Sequence, residues 1–69
     1  MSESVYKVIE LVGTSPDSWE AATAAAIDRA GESLRDLRIA EVTRLDVAIE
    51  DGKVKSYRAK VSVSFKYDA

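Results

Sequence analysis

One segment of this sequence has the apolar periodicity of an amphipathic helix, and it stands between stretches that alternate as β-strands do. Its apolar positions recur at spacings of three and four: Trp19, Ala22, Thr23, Ala26, Ile27, Ala30, Leu34 and Leu37. This spacing places them on one side of a helix. The small residues in its first half predict close packing of the helix on the sheet near Ala22 and Ala26. One helix must therefore cover whatever sheet the other residues form.

The junction before this segment has residues typical of a helix N-terminus. Gly13 gives the backbone freedom to turn, and Ser15 supplies a capping hydroxyl. Pro16 has a preset φ and lacks an N–H that would be unpaired there, while Asp17 puts negative charge in the first turn. We predict a helix that is capped at Ser15 and ends around residues 35–38.

The segment from Val5 to Val12 is rich in β-branched and aromatic residues and ends at Gly13. Both of its alternating residue sets are largely apolar, which predicts a strand that is covered on both faces. A single helix covers only one face of a sheet. The second face is therefore expected to meet another subunit.

A second extended run follows the helix, and its apolar phase slips by one residue. Ala40 and Val42 are apolar at even positions, whereas Leu45, Val47 and Ile49 are apolar at odd positions. A β-bulge near Thr43 and Arg44 would restore one continuous apolar face. The alternative is that the second half of the strand turns its apolar side outward to a neighbour.

Asp51 and Gly52 mark a hairpin between this run and the last strand. A three-residue loop combined with the bulge would pair Val47 with Tyr57, whereas a two-residue turn without a bulge would place Val47 opposite Ser56. The last strand alternates cleanly, with one face formed by Tyr57, Ala59, Val61, Val63, Phe65 and Tyr67.

The predicted fold class is α+β. The elements have the order β-α-β-β and form a three-stranded antiparallel sheet wrapped on one helix, in a single domain spanning residues 1–69. A chain of 69 residues buries only about 60% of the surface that its unfolded form exposes. The sequence has no cysteine, so disulfides cannot strengthen this small core. Association between chains is therefore the favoured way to stabilise such a small domain.

Composition also excludes several functions. The net charge is −2, with acidic and basic residues interspersed, which argues against nucleic-acid binding. We expect a soluble, cytoplasmic protein, because no apolar run approaches the roughly 20 residues of a membrane span. Neither histidine nor cysteine is present, and no motif of a nucleophile or a phosphate loop occurs, so we predict that the protein is not an enzyme.

Carboxylates are the remaining candidates for chemistry or metal binding. Glu41 and Asp46 could act as a pair, although solvated or salt-bridged surface carboxylates are the favoured interpretation. Calcium needs only oxygen ligands, but Asp46, Glu50 and Asp51 lack the spacing of an EF-hand loop. A site on a symmetry axis, with one carboxylate from each chain, would leave no local motif. The metal ligands are therefore unassigned.

Several segments together resemble a dodecin over nearly the whole chain. They are the first strand with its Gly13-Thr14-Ser15 ending, the alanine-rich helix containing Ala26-Ile27-Asp28-Arg29-Ala30, the run Ala40-Glu41-Val42, and the closing Val61-Ser62-Val63-Ser64-Phe65. The resemblance implies a small strand-helix-strand-strand protein that assembles as a hollow homododecamer of tetrahedral symmetry. It also implies that the protein binds or stores small ligands without catalysis.

Many dodecins bind stacked pairs of flavins at two-fold subunit contacts, between a tryptophan at the start of the second strand and a glutamine in the third. The matching positions here hold Ile39 and Arg58. Isoleucine has no π-face, and arginine donates hydrogen bonds but cannot accept them. The resemblance therefore implies weak flavin binding, and this pattern is closer to calcium dodecins. Flavin and calcium are the two candidate ligands.

The predicted ligand-binding residues are Ile39, Glu41, Arg44 and Arg58. Arg44 and Arg58 would suit an anionic group, such as a phosphate-bearing cofactor. The alternative for each arginine is a cross-strand or intersubunit salt bridge with Glu41 or Asp46. The alternative function is a structural or protein-interaction module whose open sheet face recruits another protein and which has no small-molecule ligand.

Overall fold

The computed structural model describes residues 3 to 67. The elements in chain order are β1 (Tyr6–Ser15), α1 (Trp19–Ser33), β2 (Leu37–Glu50) and β3 (Lys53–Lys66). The strands form one antiparallel sheet in the order β1-β3-β2, so β3 is central. The predicted α+β class and the β-α-β-β order are confirmed. Of the domain predicted over residues 1–69, positions 1, 2, 68 and 69 lie outside the described residues.

The helix begins three residues later than the sequence pattern predicted. Ser18 has extended backbone angles, and its Oγ accepts a hydrogen bond from the backbone N–H of Ala21 at 2.9 Å, so it is the N-cap. Ser15 instead lies in β1, and its Oγ accepts from the N–H of Asp17 at 3.0 Å. The prediction was wrong because the Ser15 hydroxyl bonds two residues ahead and closes a turn. The acidic residue in the first helical turn is Glu20 rather than Asp17.

The helix also ends earlier than predicted, at Ser33. Leu34 is the C-cap, and its N–H donates to the carbonyl of Ala30 at 2.9 Å. Asp36 has a φ of 59°, which reverses the chain into β2 at Leu37. No helix among the described residues is long and apolar enough to cross a membrane.

Gly13 has a different role from the predicted turn. It lies within β1, where a β-carbon would overlap the carbonyl oxygen of Ala22 and would lie 3.1 Å from the β-carbon of Ala26. The predicted close packing of the helix near these two alanines is confirmed. Glycine is required because the backbones of β1 and α1 approach too closely for any side chain.

The predicted bulge is present in β2. Val42 pairs with Val61 and Arg44 pairs with Lys60, so Thr43 is the extra residue on the β2 strand. The Thr43 hydroxyl donates to the carbonyl of Lys60 at 3.2 Å. The inserted residue keeps the apolar residues on both sides of the bulge on the face that β2 turns toward α1.

The hairpin has the predicted register but a different turn. Val47 pairs with Tyr57 as predicted. The loop contains two residues rather than three, since Glu50 pairs with Lys53 and the turn residues both have positive φ. A register shift between Ala48 and Ile49 leaves Lys55 without a partner on β2. That extra residue on β3 produces the same register as a three-residue loop.

The core lies between α1 and the β1–β3 half of the sheet. Its buried residues are Ala22, Ala26, Ala59, Val61 and Val63. Among the described residues, only Val61 and Val63 are large side chains that are fully buried. The helix contacts β2 much less than β1 and β3, so part of the sheet is uncovered even on the helix side.

Candidate functional site

The sheet face turned away from α1 carries all four predicted ligand-binding residues. Cross-strand partners in an antiparallel sheet share a face, and Val61 and Val63 face the helix from β3. The intervening β3 residues and their partners therefore face outward, on what we call the outer face. The predicted residues on this face are Ile39, Glu41, Arg44 and Arg58.

Residues of β1 and β2 that pair with the same β3 residue form rows across the outer face. The first row is Thr14–Arg58–Asp46, the second Val12–Lys60–Arg44, the third Glu10–Ser62–Glu41, and the fourth Val8–Ser64–Ile39. The rows follow one another along the strands. The predicted site residues are therefore distributed over all four rows instead of being clustered.

The structure does not bring Ile39 and Arg58 together within one chain. Ile39 pairs with Ser64, which is six residues beyond Arg58 on β3. At about 3.3 Å per strand residue, the two positions are roughly 20 Å apart. A ligand that contacted both residues would therefore need to lie between two copies of the chain.

Arg58 forms a bidentate salt bridge with Asp46 in the first row. Its Nε donates to Oδ1 of Asp46 at 2.7 Å and its Nη2 donates to Oδ2 at 3.0 Å. The hydrogen bonds from Arg58 hold the pKa of Asp46 below its ordinary value. Desolvation opposes this effect in part, and the charges of Arg58 and Arg44 lower the pKa further. The same contact raises the pKa of Arg58. Of the salt-bridge partners considered for Arg58, the structure shows Asp46.

Asp46 also connects the sheet to the start of the helix. Its backbone carbonyl accepts a hydrogen bond from Nε1 of Trp19 at 3.0 Å. The Trp19 ring packs edge-on against Tyr57, with 5.1 Å between ring centroids and 75° between ring planes. These contacts pack the Trp19 side chain between the start of α1 and the sheet.

Trp19 also borders an apolar hollow on the helix side of β2. The hollow has a volume of about 250 Å³ and is lined by Trp19, Glu20, Thr23, Val42 and Leu45. It lies where α1 leaves β2 uncovered. The side chains of Val42 and Leu45 are therefore exposed on the side of the sheet opposite to the predicted site.

The second and third rows carry charges of opposite sign. Lys60 of the second row lies with its Nζ 3.8 Å from Oε1 of Glu10 in the third. Arg44 and Glu41 make no ion pair within 4 Å among the described residues. The sequence prediction missed Glu10 and Lys60. The alternation of β3 placed Lys60 on the polar face, but only the register between β1 and β3 brings it close to Glu10.

The fourth row has an exposed apolar side chain at each end. The exposed fraction of Ile39 is 69% and that of Val8 is 58%, and Val12 of the second row is 54% exposed. Aliphatic side chains with this exposure on one face are typical of a contact surface. This agrees with the expectation that the second face of β1 meets another subunit.

No preformed metal site is evident in the part of the chain that the structure describes. Residues 3–67 contain no group of three or more acidic side chains placed to hold one ion. Asp46 forms its salt bridge with Arg58, while Glu41 is exposed and makes no ion pair with any other described residue. Glu41 is thus the available oxygen ligand among the predicted site residues.

Known proteins resemble this chain over nearly its full length. The family profile described as Dodecin matches residues 5–68. The calcium dodecin of Mycobacterium tuberculosis is 51% identical over 63 residues, which cover 91% of this chain and 89% of that protein. Its crystal structure, described as a calcium-chelating antigen with a novel calcium-binding site, superimposes with a TM-score of 0.85 and 49% identity, covering 94% of this chain and 93% of that chain.

A second solved structure supports the same relationship. The dodecin of Streptomyces coelicolor superimposes with a TM-score of 0.93 and 39% identity, covering 100% of this chain and 99% of that one. Sequence and fold thus agree over every strand and the helix.

Proposed function

This chain belongs to the dodecin family, and we propose that it forms a hollow homododecamer that binds or stores small ligands or ions at contacts between subunits, without catalysis. The proposal rests on one observation: the predicted ligand-binding residues are spread along the outer face instead of being clustered. Ile39 and the Asp46–Arg58 pair lie roughly 20 Å apart in one chain. A second copy is needed to bring such groups around one ligand.

Flavin affinity is expected to be weak. Ile39 offers no aromatic surface for stacking, and Arg58 directs two of its donors to Asp46. An aromatic pair contributes about 0.5 to 1.5 kcal/mol beyond area burial. Its loss on both sides of a stacked flavin pair would weaken binding by roughly tenfold to a hundredfold.

Calcium is the second ligand that we propose, by analogy with the calcium dodecin of Mycobacterium tuberculosis. Calcium takes about six to eight oxygen ligands. Glu41 is exposed on the outer face and forms no ion pair within residues 3–67, so it is the side chain that we expect to contribute. Copies of the chain that meet at a symmetry axis would supply the other oxygens.

Native mass spectrometry of untreated protein tests the assembly and any retained ligand together. We expect a particle near twelve times the 7.5 kDa chain mass. A monomer across micromolar concentrations would overturn the proposed shell.

A fluorescence titration tests the flavin site. The native protein should quench flavin emission only weakly, and Ile39→Trp should strengthen the quenching. Val54→Trp is the matched control, because Val54 is also exposed but lies beside the hairpin. Strong quenching by the native protein would contradict the expected weak flavin binding. An equal increase in quenching in both variants would show that Ile39 is not at the flavin site.

Calorimetric titration with calcium tests the ion site. Glu41→Gln should reduce calcium affinity, while Glu50→Gln, which alters the exposed Lys55–Glu50 pair, should not. A dodecamer that binds neither calcium nor flavin would instead support the structural or protein-interaction alternative.

A further inference from the structure

The turn between β2 and β3 joins an aspartate directly to a glycine. Asp51 has a φ of 53° and Gly52 a φ of 74°, and the flanking Glu50 and Lys53 pair with each other. Two consecutive residues with positive φ are characteristic of a type I′ turn, for which Asp-Gly is a favoured sequence. The fold thus explains why these two residues are adjacent, and their adjacency has a chemical consequence.

An aspartyl-glycyl bond rearranges without an enzyme. The glycine nitrogen attacks Cγ of the protonated aspartate carboxyl, so that an N–Cγ bond forms, the Cγ–OH bond breaks, and the hydroxyl leaves as water with the amide proton. The product is a five-membered succinimide. Water then hydrolyses the bond between the nitrogen and the original backbone carbonyl carbon, which leaves the chain running through Cγ as isoaspartate. One water is released and one is consumed, so the mass of the chain is unchanged.

The structure leaves the two reacting groups accessible to each other and to water. Gly52 has no side chain to shield its nitrogen, and even a β-carbon there would meet no atom within 4 Å. Its N–H makes no backbone hydrogen bond among residues 3–67. Over the same residues, the Asp51 side chain makes no hydrogen bond and no ion pair. No contact of the fold therefore holds the carboxyl away from the neighbouring nitrogen.

The attack also requires the turn to open, so that the Asp51 carboxyl can lie over the Gly52 nitrogen. The pairing next to the turn is interrupted at Lys55, which has no partner on β2. The last apolar side chains before the turn are exposed, Ile49 by 68% and Val54 by 53%. A segment with few buried contacts and an interrupted ladder opens locally at a small cost in free energy.

Asp36 provides a comparison within the same chain. It is exposed and has a φ of 59°, but the next residue is Leu37, whose side chain shields the nitrogen and packs against the core. The carbonyl of Asp36 also accepts a hydrogen bond from the N–H of Lys66 at 3.2 Å. An exposed aspartate with positive φ is therefore not enough, and Asp51 differs in the residue that follows it and in its freedom to move.

We propose that Asp51 is a site of spontaneous isomerisation in the folded protein, through a succinimide formed with the nitrogen of Gly52. The modified turn is a substrate for a carboxyl methyltransferase that recognises isoaspartyl residues. This inference is independent of the proposed function, because it involves none of the predicted ligand-binding residues.

The structural effect is confined to the end of the hairpin. Isoaspartate adds one carbon atom to the backbone of a two-residue turn, so the pairing of Glu50 with Lys53 is lost. The pair Val47–Tyr57 lies beyond the register shift and remains. In a partly converted sample, backbone amide NMR signals of residues 50–53 should change while those of Val47 and Tyr57 stay in place. Changes that extend into the core would overturn this local description.

Peptide mapping of the native protein tests the site itself. After prolonged incubation at neutral pH and physiological temperature, mass spectrometry that separates isomeric peptides should show isoaspartate at Asp51 several-fold above that at Asp36. The incubated protein should also accept methyl groups from an isoaspartyl-specific methyltransferase. Equal amounts at the two aspartates, or none at Asp51, would overturn the proposal.

Asp51→Gly is the matched control, because Gly-Gly is compatible with the same turn and carries no carboxyl. The variant should keep the circular dichroism spectrum of the native protein and should lose most of the methyl labelling. If the labelling persists undiminished, the isomerising residue lies elsewhere in the chain.

Discussion

Gly13 of β1 lies against the carbonyl of Ala22 in α1, with no room between them for even a methyl group. This contact sets the distance between the helix and the sheet. Ala22 is completely buried, and the small side chains around it allow two backbones to pack closely. The close approach explains how a helix with so few large apolar residues packs against the β1–β3 half of the sheet.

The first prediction concerns this contact. Gly13→Ala should reduce the free energy of unfolding by about 1 to 3 kcal/mol, because the added methyl group forces the helix and strand apart. Gly31→Ala is the matched control. Its β-carbon would meet only a Leu37 methyl at 3.9 Å, and alanine favours the helix by about 1 kcal/mol, so stability should rise. Urea denaturation measures both, and equal effects would contradict the close-packing account.

The second prediction concerns Ser18, the N-cap of α1. Ser18→Ala should cost about 1 kcal/mol of stability, because the N–H of Ala21 loses its capping acceptor. Ser18→Asp should restore most of that loss, since its carboxylate can accept the same bond. Thermal unfolding followed by circular dichroism measures both variants. If Ser18→Ala leaves the stability unchanged, the hydrogen bond from Ala21 to Ser18 does not stabilise the helix.

The third prediction concerns protonation of Asp46. Its pKa lies below the ordinary value of 3.8, chiefly through the hydrogen bonds from Arg58. A carboxyl with a lowered folded-state pKa stabilises the fold above its unfolded-state pKa, and this stabilisation is lost as the pH falls through the folded-state value. In Arg58→Gln the midpoint should rise toward 3.8. Carbon-13 NMR titration measures the shift, with Lys55→Gln as a control that leaves it unchanged.

The fourth prediction uses Trp19, the only tryptophan, as a reporter. Tyr57→Leu removes the aromatic edge that packs on the indole, so the emission maximum should move to longer wavelength as water gains access. Tyr57→Phe keeps the ring and should leave the emission nearly unchanged. If both variants shift the emission equally, the ring contact is not what shields Trp19.

Much of the fold followed from local patterns. Period-two alternation identified β3, spacings of three and four identified α1, and the phase slip indicated a bulge near Thr43 and Arg44. The boundaries of α1 were less accurate. Two serines with the same capping chemistry lie three residues apart, and only the hydrogen bonds of the folded chain show that Ser15 closes a turn while Ser18 caps the helix.

The sequence identified individual residues of the candidate site, but it did not predict their positions relative to one another. The resemblance to dodecins identified Ile39 and Arg58, and the polar alternation of β3 placed Arg58 on one face. Their separation depends on the register of β2 against β3. Asp46 was one of the salt-bridge partners considered for Arg58. The same register places Asp46 opposite Arg58 and so decides which partner it meets.

The sequence by itself determined the element types and the apolar faces, because these depend on residues close together along the chain. The tertiary structure decided which strands are neighbours, which charges meet, and why Gly13 cannot carry a side chain. Those properties arise from contacts between residues distant in sequence, and they depend on strand register and on the distance between helix and sheet. A local pattern restricts these quantities, but packing of the whole chain fixes them.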